Sequence, residues 1–145
     1  KIQTTVLLAA AAVTLALGFA TPTTQDMPDD MARFWFGLIR RGESWSPEVT
    51  DEVMETQAAH LANIQRLVDE GKLLLAGPFG DGGDLRGIFI YDVATQAEAE
   101  ALVASDPAVA SGRLSVELHP WWGPTALRDL AEQFHTEAGE TAGDG

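Results

Sequence analysis

With no cysteine in the chain, thiolate nucleophiles, disulfides, iron–sulfur clusters and thiolate zinc sites are excluded. Acid–base chemistry then falls to three histidines, 22 carboxylates and nine cations. His60 has the most informative setting. At about 100° per residue along a helix it falls between Leu67 and Val53, with Ile64 and Val68 close by on the same stripe. Its imidazole therefore points with apolar side chains toward a core, where a titratable ring is costly unless it has a partner. Two roles fit such a ring. One is a core histidine bonded to a backbone carbonyl. The other is a general base, because an ordinary imidazole pKa of about 6.5 lies near neutral pH.

Asp106 stands directly before Pro107, the pairing of a helix N-cap with a proline at the first helical position, and capping alone accounts for it. A second role would be to face an imidazole, fix its tautomer and stabilise the imidazolium after proton uptake. Trp121 and Trp122, with Trp35 and Phe36, offer flat rigid rings that can wall a substrate pocket or pack a subunit interface. Arg40 and Arg86 can hold a flat carboxylate or phenolate, or pair with surface acids.

Other chemistries find little support. His60, His119 and His135 are far apart and no H-x-x-x-H occurs, while Asp81 and Asp84 sit in a glycine-rich stretch that reads as a turn, so no metal is expected. Gly80-Asp81-Gly82-Gly83 carries acids where a phosphate cradle wants bare amides and a cation. No G-x-S-x-G context surrounds a serine, and no cofactor is expected.

The elements that must position these residues follow from pattern. Phe34-Trp35-Phe36-Gly37-Leu38-Ile39, apolar on both faces and closed by Arg40-Arg41-Gly42, predicts a first strand. Ser46-Pro47 or Thr50 caps a long helix that carries His60 and ends at Glu70-Gly71. Leu73-Leu74-Leu75-Ala76 and Gly87-Ile88-Phe89-Ile90-Tyr91-Asp92-Val93 predict a hairpin across Gly80–Asp84. Thr95-Gln96-Ala97-Glu98 matches a capping box and opens a second helix to about Ala104. Asp106-Pro107 restarts a short helical turn that Gly112 ends, and alternation in Leu114-Ser115-Val116-Glu117-Leu118-His119 predicts a fourth strand, with Trp121 and Trp122 after it. Residues 125–134 form a peripheral helix. The order β-α-β-β-α-β predicts an α+β, ferredoxin-like protomer, a four-stranded antiparallel sheet with two helices on one face. The bare second face of so small a sheet calls for a second copy packed against it, sheet to sheet.

The flanks are of another character. Residues 1–20 open with a cation, run apolar from Val6 to Ala20 with Thr14 as the single polar side chain, and close in Gly18-Phe19-Ala20, so they read as a signal peptide cleaved near Ala20. The run falls short of the roughly twenty residues a spanning helix needs. Residues 21–32 read as linker, 33–123 as the domain, and 124–145 as a helix with a flexible acidic tail. The expected destination is the periplasm or the exterior. A net charge of −13 repels phosphate backbones and anionic lipids, which argues against nucleic-acid and membrane partners.

The body resembles the YciI-like (YCII-related domain) family of dimeric α+β barrels. Carrying the resemblance are Ala58-Ala59-His60-Leu61, the run from Glu70-Gly71-Lys72 through Gly77-Pro78-Phe79, Gly87-Ile88-Phe89-Ile90, Glu98-Ala99-Glu100-Ala101, Asp106-Pro107 and His119-Pro120-Trp121-Trp122-Gly123. It covers roughly Arg33 to Gly123. The resemblance implies a ferredoxin-like protomer, a homodimer, and an active site of one His and one Asp, which map onto His60 and Asp106. The expected function is then an exported, cofactor-free enzyme of lyase or isomerase type, with His60 as general base, Asp106 orienting it, and Trp121, Trp122, Trp35 and Arg40 meeting a small organic substrate. The alternative is a non-catalytic small-molecule-binding or structural dimer module of the cell envelope.

Overall fold

A computed structural model describes residues 27–141, with side chains through residue 133. The signal peptide expected at residues 1–20, the first half of the linker and the last residues of the tail lie outside the described residues. In chain order the elements are β1 (Met31–Arg41), α1 (Asp51–Asp69), β2 (Leu73–Pro78), β3 (Leu85–Tyr91), α2 (Gln96–Ala104), α3 (Pro107–Ala110), β4 (Leu114–Pro124) and α4 (Ala126–Thr141). The sheet runs β2-β3-β1-β4 with every neighbouring pair antiparallel. This is the expected ferredoxin-like α+β arrangement, with α3 as the short turn inserted between α2 and β4.

Local chemistry sets the helix ends. Of the two caps considered for α1, Thr50 is the one used: its Oγ1 accepts from the Val53 N–H at 3.2 Å. The helix stops where Gly71 takes φ +68°, a conformation that costs a residue without Cβ little. At α2 the capping box is complete, with Thr95 Oγ1 accepting from Glu98 N–H at 3.2 Å and Glu98 Oε2 accepting from Thr95 N–H at 2.8 Å.

Alternation along the strands gives the sheet two apolar faces. One carries Trp35, Ile39, Phe89, Tyr91 and Leu73, which pack with Leu67 of α1 and Ala99 of α2 into the main core. Small alanine side chains let α2 approach the sheet closely. The other face carries Phe34, Phe36 and Leu38, with Phe36 opposite Ile90 on one side and His119 on the other. Part of this face is covered within the chain, by a helix longer than expected. Helix α4 runs to Thr141, past the expected stop at residue 134, and takes up chain assigned to a flexible tail. From it, Arg128 grips Asp92 through both carboxylate oxygens at 2.6 and 2.8 Å and lies over the Phe34 ring, 5.2 Å from its centroid. Phe34 and Ala131 are buried, while Phe36, Leu38 and Ile88 stay half-exposed.

A second amendment concerns β4. Alternation in sequence ends at His119, yet the strand continues to Pro124 because β1 begins early, at Met31, and supplies pairing partners throughout. Trp121 and Trp122 therefore lie inside the strand, opposite Phe34 and Arg33, and not in a loop beyond it.

Candidate active site

His60 sits on the third turn of α1, on the stripe that faces the sheet, and is 7% exposed. Asp106 caps α3 and is 1% exposed. Although 46 residues separate them, Nδ1 of His60 lies 2.7 Å from Oδ2 and 2.9 Å from Oδ1 of Asp106. The carboxylate can only accept, so Nδ1–H donates and Nε2 carries the free lone pair. Oδ1 also accepts the Ala108 N–H at 2.9 Å, which closes the cap of α3. Both roles weighed for Asp106 are thus filled by one side chain. The pair also clips α1 to the helix after α2, and a second polar contact backs it: Arg66 donates to Asn63 Oδ1 at 2.7 Å and reaches Ser105 Oγ, the residue before Asp106, at 3.5 Å.

The ring is held on its other side by Phe89, whose centroid is 6.2 Å away, and Phe89 in turn packs on Tyr91 at 5.5 Å. Burial, and secondly the nearby Asp106 charge, push the Tyr91 phenol well above the usual tyrosine range, so it stays neutral in the fold.

Beside the imidazole is a cavity of about 300 Å³ between α1 and the β2–β3 hairpin. His60, Gln57, Leu61 and Ile64 line it from the helix, Gly77 and Pro78 from β2, Arg86 and Phe89 from β3, and Ile39 and Leu114 from the central and edge strands. With Nδ1 committed to Asp106, Nε2 is the ring nitrogen left to meet an occupant. An oriented imidazole with a buried carboxylate behind it, opening on an apolar hollow, can take a proton from a bound molecule and return it. Among the described residues, no group of three or more His, Asp or Glu is placed to share a metal ion.

The other residues singled out from sequence are not gathered here. Trp35 is buried in the main core, 5% exposed. Trp121 packs on the second face against Phe34 and Phe36, at 6.1 and 5.8 Å. Trp122 borders a shallow depression with Arg33, Asp92 and Arg128. Arg40 is on the second face, ion-paired with Asp84 at 3.4 Å and Glu117 at 3.5 Å. None of the four lines the cavity beside His60. The reason is periodicity: residues 121 and 40 share the face of Phe34, which the sheet turns away from α1. Gln57 was missed by the sequence reading although it stands three residues before His60, a spacing that puts both on one helix face.

The family model of the YCII-related domain matches residues 41–122, more than half of the chain, and this span holds both His60 and Asp106. No curated protein sequence matches. Among solved structures the chain is similar to the 5-chloro-2-hydroxyhydroquinone dehydrochlorinase of Burkholderia phenoliruptrix AC1100, described in complex with 2,5-dihydroxybenzoquinone. The two are 24% identical, with a TM-score of 0.45, over 60% of this chain and 92% of that one. With its strand and helix order in place and the family match spanning β1's last residue through most of β4, the chain belongs to the YCII-related domain family.

Proposed function

We propose that the chain is an enzyme of lyase or isomerase type that removes a proton from a small organic compound, with His60 Nε2 as general base and Asp106 as the orienting acid. One observation carries the reading: His60, hydrogen-bonded to the buried Asp106, borders an open cavity and is not packed shut. A positioned imidazole contributes about 10²–10⁴-fold in rate, which suits an activated C–H or O–H next to a carbonyl or aromatic ring. The proton moves to Nε2, Nδ1–H strengthens its bond to Asp106, and the imidazolium returns the proton at a second atom or releases it with a leaving group.

The protein is also proposed to be exported by its leader, and to pair with a second copy over the half-exposed strip of Phe36, Leu38 and Ile88. That strip lies on the sheet face opposite the cavity, so pairing would leave the site's mouth clear. One observation favours a non-catalytic binding module: Asp106 already has a structural duty as the α3 cap.

The two readings separate in a defined experiment. A thermal-shift screen of small organic compounds on the full chain finds ligands, since one present at a hundred times its Kd adds about 2.7 kcal/mol of stability. Hits are then assayed for conversion with the native chain and with His60→Gln. The expected loss in kcat for His60→Gln is about 10²–10⁴-fold with binding retained. Equal conversion by the two proteins removes His60 from the chemistry, and binding without conversion favours the module.

A further inference from the structure

The wall of the cavity is apolar over most of its extent, and three lining residues alone carry polar side chains: Gln57, His60 and Arg86. Among the described residues no carboxylate borders it, although the sequence is rich in acids. Arg86 is half-buried, and its hydrogen bond goes to the Gly83 backbone carbonyl at 3.3 Å. Four of the described cations are matched by acids: Arg40 meets Asp84, Arg66 and Lys72 meet Glu70, and Arg128 meets Asp92. Arg33, Arg41 and Arg113 donate to backbone carbonyls as Arg86 does, but of these four Arg86 is the one that lines the cavity. Among the described residues Arg86 has no carboxylate in ion-pair contact, although acids greatly outnumber cations in the sequence.

A half-buried guanidinium at an apolar wall without a counter-ion is electrostatically incomplete, and a ligand that brings the anion completes it. We infer that the cavity takes a small organic monoanion, a carboxylate or phenolate with an apolar body, its charged end on Arg86 and its acidic hydrogen toward His60. The inference rests on the reading of His60 as the base and names the substrate class for it. Chemistry gives the cation a second use. When the C–H or O–H bond breaks, the proton forms an N–H bond at Nε2 and the electron pair stays on the substrate, which then carries one more negative charge. A fixed cation beside that charge stabilises it more than it stabilises the ground state. Long-range repulsion from a net charge of −13 makes a local cation the means by which such a chain can hold an anion at all.

The probes are benzoate and its neutral isostere benzamide, titrated into the full chain at low salt while the His60 ring resonances are followed by NMR. Benzoate is expected to shift those resonances and bind at least about tenfold tighter than benzamide, about 1.4 kcal/mol. Arg86→Gln is expected to bring benzoate down to the benzamide level and leave benzamide unchanged, while Arg86→Lys keeps part of the preference. Native-like spectra of Arg86→Lys guard against a folding artefact in Arg86→Gln. Equal affinities in the native chain, with both probes reporting at His60, overturn the anion inference and leave the base reading standing. A preference that survives Arg86→Gln but disappears in His60→Gln assigns the anion to the imidazolium and also overturns it. Absence of binding by either probe at millimolar concentration overturns it too. Conversely, an Arg86-dependent benzoate site in a chain whose conversion of its screened substrate ignores His60→Gln supports the anion site and sinks the base.

Discussion

Asp106 shows how one carboxylate can serve structure and site together. Its Oδ1 accepts the first free amide of α3 while both oxygens face Nδ1 of His60, all at 1% exposure. Asp106→Ala removes the cap and strands a buried N–H, so it should lower unfolding free energy by about 2–4 kcal/mol in urea titration. Asp106→Asn keeps one acceptor oxygen, enough to cap the Ala108 N–H, and should cost about 1 kcal/mol, yet it removes the charge that stabilises the imidazolium. A larger stability loss for Asn than for Ala would contradict the geometry. Tyr91 gives a prediction in pH. Its phenol is held neutral, mainly by burial and then by Asp106, so its folded pKa lies above the unfolded value of about 10. The unfolded chain therefore loses its proton first as pH rises. Tyr91's contribution is complete below about pH 10 and is lost progressively above it. Tyr91→Phe should flatten that alkaline decline in denaturation midpoints measured from pH 8 to 11.

Element ends and strand crossings decide whether the cavity keeps its shape. A Cβ at Gly87 would stand 2.4 Å from the Gly77 carbonyl oxygen, so β2 and β3 can approach there only around glycine. Gly77 and Pro78 form one wall of the cavity. Gly87→Ala should push β2 outward, cost about 1–3 kcal/mol by denaturant titration, and weaken ligand binding at a site the residue does not touch. At α1, Thr50→Ala removes the single side-chain cap at 3.2 Å and should cost about 1 kcal/mol. Because the cap lies ten residues before His60, that loss should appear in the melting temperature and leave ligand affinity unchanged, the opposite signature to Gly87→Ala.

The whole molecule is a sheet with one face closed by α1, α2 and α3 and the other partly closed by α4. The strip left half-exposed, Phe36, Leu38 and Ile88, is the surface on which the proposed dimer depends. Sedimentation or light scattering at micromolar concentration should give twice the chain mass, and Leu38→Glu should return it to one. Like charge on two copies at −13 each opposes association, so added salt should favour the dimer. A monomer at all salt concentrations would mean that α4 covers the face well enough alone.

Element type and order followed from local chemistry: the 3.6-residue stripe of α1, the capping box at Thr95, the Asp106-Pro107 start and the alternation of Leu114, Val116 and Leu118. So did the inward aim of His60, since a helix face is fixed by spacing within one segment. The meeting of His60 with Asp106 was given only by family resemblance, because contact across 46 residues depends on how α1 and α3 lie on the same sheet face. Strand ends were decided by partners, as when β1 extended β4 through Trp121 and Trp122. The cavity's lining came from five separate elements, and Arg86 over Arg40 was selected by which face of the sheet each occupies. Sequence fixes periodicity within a segment; the distance between segments arises only when their apolar faces pack together and leave water.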